Sequence, residues 1–432
     1  MQSGLLSCNE AVQVRLAPSN SPANALSRAE DIPLQRRIVA FIFLMCADFF
    51  YGWSWNTVDV LRPYIRDSLH LTLTQAGSMY SAQSAGMLAG AVVIGQLADR
   101  FGRRNMLALV MAGYGMALIS GTAVGSYPQV LAQRFVLGLF IGGIFPIVVG
   151  IYVSLFDQGI RGRLAALYNG TFNGSAVVLG LAMGAVADHH WQLLLWYGGL
   201  PPLLLAGLAF VVVPDDRRII PFGQAADAVI AKVSKLPITE LFHSEHRRIT
   251  LLLALMFGLN FFGSQAFVGW VTSYLRDVRG FADTAIGSMV AWQFTASIVG
   301  GFFWGWFADR FGRRKNALGF ILGSAAIVAY LNMPTDPWLI KLAGAAYGFM
   351  IACSVTWGPW IAELYPPHLR STAASIFNWG RVISFFAPLI TAAVAERFSL
   401  TIAMSLGAAA FSSAALIWWI LPETLRTRTT RG

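Results

Sequence analysis

The sequence predicts an all-α membrane protein of twelve transmembrane helices, the two six-helix halves of one chain. Three observations predict it: a composition too apolar for a water-soluble globule, about twelve apolar runs of bilayer-spanning length, and a charged segment that occurs twice at equivalent places. Of the 432 residues, 56% are hydrophobic and 12% charged. A soluble domain carries about 25% charged residues, so too little polar surface remains to cover a globule of this size. The net charge of +10 would suit a nucleic-acid partner, but the basic residues sit in short loops between apolar runs, and no nucleic-acid partner is expected.

A bilayer span needs about 20 consecutive apolar residues. In the first half such runs fall at approximately 37–60, 75–98, 104–123, 128–154, 163–187 and 191–213, and in the second at approximately 248–275, 283–308, 314–332, 337–361, 370–396 and 399–421. The expected organisation is a disordered cytoplasmic tail over 1–35, an N-terminal six-helix bundle over 36–213, a linker over 214–247, a C-terminal six-helix bundle over 248–422 and a short tail over 423–432. The first 35 residues lack the basic start and apolar core of a signal peptide. Cys8, Cys46 and Cys353 are too far apart for a disulfide framework or a metal site. No phosphate-binding loop or nucleophile–base arrangement appears, so neither an enzyme nor a cofactor is expected.

Basic residues set the orientation, because Lys and Arg concentrate in cytoplasmic loops. Most of them lie in the tails, the linker, and the loops near residues 100, 161 and 310. Arg62, Arg66, Arg276, Arg279, Lys341 and Arg397 fall on the other side, and Arg134 and Arg381 lie inside runs. Both termini are therefore expected in the cytoplasm of a cell whose inner membrane holds the protein.

The segment Gly95-Gln-Leu-Ala-Asp99-Arg100-Phe-Gly102-Arg103-Arg104 recurs as Gly305-Trp-Phe-Ala-Asp309-Arg310-Phe-Gly312-Arg313-Arg314. A second echo pairs Arg161 and Asn169 with Arg370 and Asn378. A duplicated six-span unit is the simplest reading, with a solute path between the halves. Each glycine permits a tight turn, the arginines hold the turn at the inner face, and each aspartate ends a span where it can pair with an arginine or cap the next helix.

On these residues the chain resembles the major facilitator superfamily over about residues 36 to 425. The resemblance implies transport by rocking of the two halves, with Asp99, Arg103, Asp309 and Arg313 as gating residues. Three further segments resemble the organic-acid group of that superfamily, the sialate, lactate and aromatic-acid proton symporters: Arg134 to Pro146, Glu363 to Arg370, and Phe377-Asn378-Trp-Gly380-Arg381. That group carries Asp-Gly-Tyr/Phe-Asp in its first span; this chain has Asp48-Phe-Phe-Tyr51, keeping the first aspartate and losing the glycine and the second.

Charges inside spans narrow the site. A charge at mid-bilayer costs roughly 2.5 to 3.5 kcal/mol on insertion scales and usually faces a cavity. Arg381 and Asp48 each lie about 16 Å inside their spans, halfway through a ~30 Å core. Arg381 is either the anchor of a substrate carboxylate, which a guanidinium can grip with two hydrogen bonds, or a permanent partner of Asp48 or a helix carbonyl. Asp48 is either a proton carrier or a fixed charge partner. Arg134 either gates, makes a second anion contact, or anchors its helix by reaching the outer interface. Asp59 is expected to pair with Arg62 or Arg66 at the outer end of the first span. Asn173, Asn260, Gln293 and Asn378 lie at mid-span depth and either bind substrate or join helices; Asn169, Gln83 and Gln265 rank behind them. Tyr51 and Trp357, with Trp53, Trp55 and Trp292, either line the cavity or face lipid.

The expectation is a secondary active transporter taking up a small anionic carboxylate with protons by alternating access, embedded in lipid and acting as a monomer. The alternatives are a sugar or polyol symporter and a drug or metabolite antiporter.

Overall fold

The computed structural model describes residues 27–157, 159–215, 219–220, 240–366, 369, 373 and 376–424. Twelve long helices follow the twelve apolar runs. In the first half these are α1 (Leu34–Val60), α2 (Leu73–Phe101), α3 (Arg103–Ser120), α4 (Tyr127–Leu155), α5 (Arg161–His190) and α6 (Gln192–Val212). In the second half α7 starts as Ser244–Phe267 and continues through a 3₁₀ turn at Val268–Trp270 and a π turn at Tyr274–Val278. α8 is Asp283–Phe311 and α9 is Ala317–Asn332. α10 is Pro337–Ile351, prolonged through Ala352–Thr356 to Trp357–Leu364. α11 is Ile376–Trp379 and Arg381–Arg397, with a turn at Gly380, and α12 is Leu400–Ile420. The expected start of α11, at Arg370, lies outside the described residues.

Among the described residues, nine helices are by themselves long and apolar enough to cross a bilayer. The others have visible reasons for falling short: α5 carries five glycines and two asparagines, α9 has only 16 residues, and α11 is described only in part. Side chains such as Leu204 and Val211, both 70% exposed, and Phe302, 66% exposed, face outward, as lipid contact requires.

Local chemistry sets the helix ends. Thr72 and Gln75 cap α2 reciprocally, Asp336 accepts from the amides of Trp338 and Leu339 at 2.9 Å each at the start of α10, and Ser399 caps α12. The two repeated loops turn at Gly102 and Gly312, whose φ values of 89° and 108° suit a residue without a Cβ. Before α1, Ser27–Arg28 pairs in parallel with Ile219–Ile220 of the linker, so part of the expected disordered tail is ordered. Of the remaining linker, Glu240–Phe242 forms a 3₁₀ turn; Arg217, Arg218, Lys232 and Lys235 lie outside the described residues, as do Cys8 and the rest of the tail.

Within the first half, α2 and α4 cross backbone to backbone. Gly86 and Gly90 of α2 face the carbonyls of Phe135 and Leu139, and Gly138 and Gly142 of α4 face those of Gln83 and Met87. The crossing repeats between α8 and α10, where Gly300 faces Phe349 and Gly348 faces Gln293. The halves then meet along two seams. Gly180 and Gly184 of α5 abut Gly287 of α8, and on the other seam Ser81 of α2 donates to the carbonyl of Phe385 of α11 at 2.7 Å.

The two membrane faces differ. On the face opposite the repeated loops, here the far face, Arg66–Asp277 at 2.6 Å and Arg276–Asp67 at 3.0 Å cross between the halves, and Glu396 accepts from the amide of Thr74 at 2.9 Å. On the loop face the ion pairs Arg104–Asp215, Arg313–Asp309 and Arg313–Glu363 each lie within one half. The halves are therefore fastened together at the far face.

Candidate functional site

One stripe of α1 carries the polar groups of the interior. Asp48, Tyr51, Trp55 and Asp59 recur at helical spacing, so all four project toward the same side. They fall at three successive depths, and each depth meets a different set of partners.

At mid-depth, Arg381 lies between the two halves. Its guanidinium carbon is 4.7 Å from the ring centre of Trp55 on α1 and 5.2 Å from that of Phe261 on α7. The Tyr51 hydroxyl also faces this guanidinium. Further rings continue the enclosure. Tyr51 and Trp55 pack on Phe172 of α5 at 5.5 and 6.1 Å, and Phe261 packs on Phe377 of α11 at 4.9 Å. Backbone contact sets the position: a Cβ on Gly380 would stand 2.7 Å from backbone atoms of Phe257 and Gly258, so glycine lets α11 lie directly on α7 just before Arg381. Cation–π contacts hold the cation through the ring faces. The cluster is a half-buried cation with aromatic walls, suited to a planar anion.

Nearer the loop face, Asp48 is 0% exposed, and among the described residues neither carboxylate oxygen has a hydrogen-bond partner. The Tyr168 hydroxyl lies beside it without closing a hydrogen bond and has no hydrogen-bond partner among the described residues. Tyr114 is the next neighbour and donates to the Ala47 carbonyl at 3.3 Å. Arg381 does not pair with Asp48; it stacks on Trp55, seven residues further along α1. Burying a carboxylate without hydrogen bonds is costly.

Nearer the far face, Asp59 pairs with Arg62 at 2.8 Å, as expected, and accepts from Gln265 of α7 at 3.3 Å. One of the readings open for Arg134 was anchoring at the outer interface. Instead it is 1% exposed and donates to Thr57 at 3.1 Å, within electrostatic reach of Asp59 and Arg62.

The remaining sequence candidates scatter. Asn173 bonds back to the carbonyl of Asn169 on its own helix at 3.0 Å. Asn260 is buried beside Phe261. Gln293 lines a small far-face cavity with Asn56 and Asp59. Trp357 is buried between Phe257 at 4.7 Å and Trp418 at 5.3 Å, inside the second half. Trp53 is buried and bonds to Leu194, Gln83 donates to the carbonyl of Trp55, and Trp292 is exposed on the outer surface against Trp338. The backbone of Asn378 is helical, but its side chain lies outside the described residues, as does that of Asp99.

Among the gating candidates, Arg103 donates to the Gly150 carbonyl at 3.0 Å, while Arg313 pairs with Asp309 at 2.5 Å and Glu363 at 3.2 Å. The carboxylate of Glu423 accepts from the backbone amides of Arg313 and Arg314 at 3.0 and 2.9 Å. The first half echoes this with the Arg104–Asp215 pair at 3.1 Å, and the signal was present in sequence: Pro214-Asp215 and Pro422-Glu423 end the two halves alike. Of the two rings that hold Arg381, Trp55 was among the candidates and Phe261 was missed, as were Phe172 and Phe377 in the surrounding enclosure. Phe172, Phe261 and Phe377 each adjoin an amide residue singled out by depth (Asn173, Asn260 and Asn378), so depth was legible while the rotation of each helix was not.

Comparison with known proteins agrees with this architecture. The family model described as Major Facilitator Superfamily matches residues 44–285 and 253–432. The gallate transporter of Pseudomonas putida is 24% identical over 408 residues, covering 87% of this chain and 90% of that protein. The cis,cis-muconate transport protein of Acinetobacter baylyi is 25% identical over 395 residues, covering 89% and 93%. Among solved structures, a bacterial homologue of the human lysosomal transporter Spinster, in an inward-facing and unoccupied conformation, has a TM-score of 0.73 at 15% identity over 90% of this chain and 97% of that one. The chain belongs to the Major Facilitator Superfamily and is a multi-pass membrane transporter, not an enzyme.

Proposed function

We propose that this protein takes up a small planar carboxylate together with a proton, with Arg381 as the anion anchor and Asp48 as the proton site. The observation that carries the reading is the clamping of Arg381 between Trp55 of one half and Phe261 of the other. A carboxylate can bind the guanidinium edge through two parallel hydrogen bonds, while its conjugated body lies against the rings of Tyr51, Phe172 and Phe377. Gallate and muconate, the cargoes in the names of two relatives, are both planar carboxylates.

In this proposal the loop face is cytoplasmic, both termini are cytoplasmic, and the protein sits in the inner membrane as a monomer. The positive-inside distribution supports that orientation. With its far face fastened, the molecule is then inward-facing. Alternating access unfastens the far face, admits substrate and proton, and swings both inward, with the repeated loops governing the swing.

Uptake of radiolabelled gallate, muconate and benzoate into proteoliposomes, with and without an inward proton gradient, tests both parts. Uptake of at least one acid should rise with the gradient. Arg381→Ala should lower it by about 100-fold or more, the scale of a lost charge-assisted bidentate contact, and Arg381→Lys should restore little, because an ammonium cannot fork or stack as a guanidinium does. Asp48→Asn should remove the response to the gradient while leaving exchange of unlabelled for labelled acid. Normal carboxylate uptake by Arg381→Ala would remove the anchor, and a gradient response in Asp48→Asn would remove the proton site.

A further inference from the structure

The far face holds a cation that the carboxylate reading does not use. Arg62 follows the last turn of α1, yet it is 0% exposed. Its guanidinium reaches three groups: the Asp59 carboxylate at 2.8 Å in its own half, the backbone carbonyl of Gly269 in the other half, and the ring of Trp270, 4.4 Å from its centre. Gly269 and Trp270 lie where α7 tightens into the 3₁₀ turn Val268–Trp270, a distortion that frees carbonyls from the helical ladder. Glycine is needed there for the approach. A Cβ on Gly269 would stand 3.3 Å from Arg62 Nη1, 3.4 Å from Asp59 Oδ1 and 2.8 Å from Gln265 Oε1. The Trp270 ring nitrogen in turn donates to Thr391 at 2.8 Å, on the helix that carries Arg381.

From this geometry we infer that Arg62 is the pin of the far-face gate: a positioning residue that fastens the two halves by seating its guanidinium on the Gly269 carbonyl, and that links closure through Trp270 and Thr391 to α11. The division of its partners makes the pin reversible. Asp59 precedes Arg62 by three residues, so the ion pair travels with the first half when the halves part, and neither charge loses its counter-charge. A buried charge stripped of its partner is strongly destabilising. Opening breaks only the bond to a neutral carbonyl, the stack on Trp270 and the contact from Gln265 to Asp59. The surface pairs Arg66–Asp277 and Arg276–Asp67 lie outside this pin and are more exposed.

The test measures the gate directly, with spin labels at Ala123→Cys and Pro334→Cys, both exposed on far-face turns of opposite halves. The background replaces Cys8, Cys46 and Cys353 by Ser, and distances are read by double electron–electron resonance in lipid nanodiscs. The parent should show one population matching the fastened far face. Arg62→Ala should add a longer-distance population and raise the open-to-closed ratio by about tenfold or more. Gly269→Val keeps every charge and lifts the guanidinium off the carbonyl, so it should do the same. Arg62→Lys keeps the ion pair with Asp59 without the forked, stacked geometry and should fall between. If Arg62→Ala does not fold, Gly269→Val and Arg62→Lys answer the question. A parent-like distribution in the monodisperse variants overturns the inference. The readout needs neither substrate nor proton gradient, so it stands or falls apart from the carboxylate reading.

Discussion

The Arg381 guanidinium stacks on two ring faces, one from each half, and cation–π contacts contribute about 0.5 to 2 kcal/mol each. Trp55→Leu should therefore weaken binding of a planar carboxylate by roughly 2- to 30-fold, the equivalent of one such contact. Calorimetric titration of purified protein with gallate and muconate checks this. Unchanged affinity in Trp55→Leu would mean that the ring packs without contributing. Asp48 follows a different logic: among the described residues no hydrogen bond reaches its oxygens.

The elements that carry these residues are positioned by close backbone approach more than by side-chain interlock. The α2–α4 crossing depends on Gly86, Gly90, Gly138 and Gly142, each facing a carbonyl of the other helix. In lipid, where apolar burial gives little drive between helices, such approach is what lets backbones pack. Gly90→Leu should push α2 off α4 and destabilise the fold by about 1 to 3 kcal/mol or more. Gly207→Leu, on an exposed stretch of α6 with no atom within 4 Å of the added Cβ, should be near neutral. Thermal unfolding in detergent separates the two, and equal melting temperatures would count against the crossing as a structural contact. Glycine spacing was readable in the sequence as a packing signal. Which helix each glycine faces was not, because the pairing of α2 with α4 skips α3.

At the scale of the whole molecule the two halves meet along two seams and are fastened by ion pairs at the far face. Arg66–Asp277 and Arg276–Asp67 form a reciprocal pair across the far face. These groups are partly exposed, so water and salt screen them. Asp277→Arg should loosen closure by about 2- to 5-fold at low salt, less at high salt, and Arg66→Asp on the same background should restore it. The double-label distance measurement reads this too. A salt-independent effect would point to packing in place of charge.

The sequence by itself determined the class, the number of the helices and roughly where each runs, and the internal duplication. Each rests on local or periodic information: a run must be long and apolar enough to cross a bilayer, a tight turn calls for glycine, and duplication repeats motifs at fixed places. It also marked Asp48 and Arg381, because ionised groups inside apolar runs are conspicuous in any such chain. The tertiary structure alone decided what those charges meet. Arg381 could have paired with Asp48 at equal depth in two spans; instead it stacks on Trp55 and Phe261, and Asp48 is left beside Tyr168. Depth follows from counting residues along one helix, whereas partners depend on how each helix rotates about its axis and on which helices touch across the halves, and those are set jointly by the packing of all twelve.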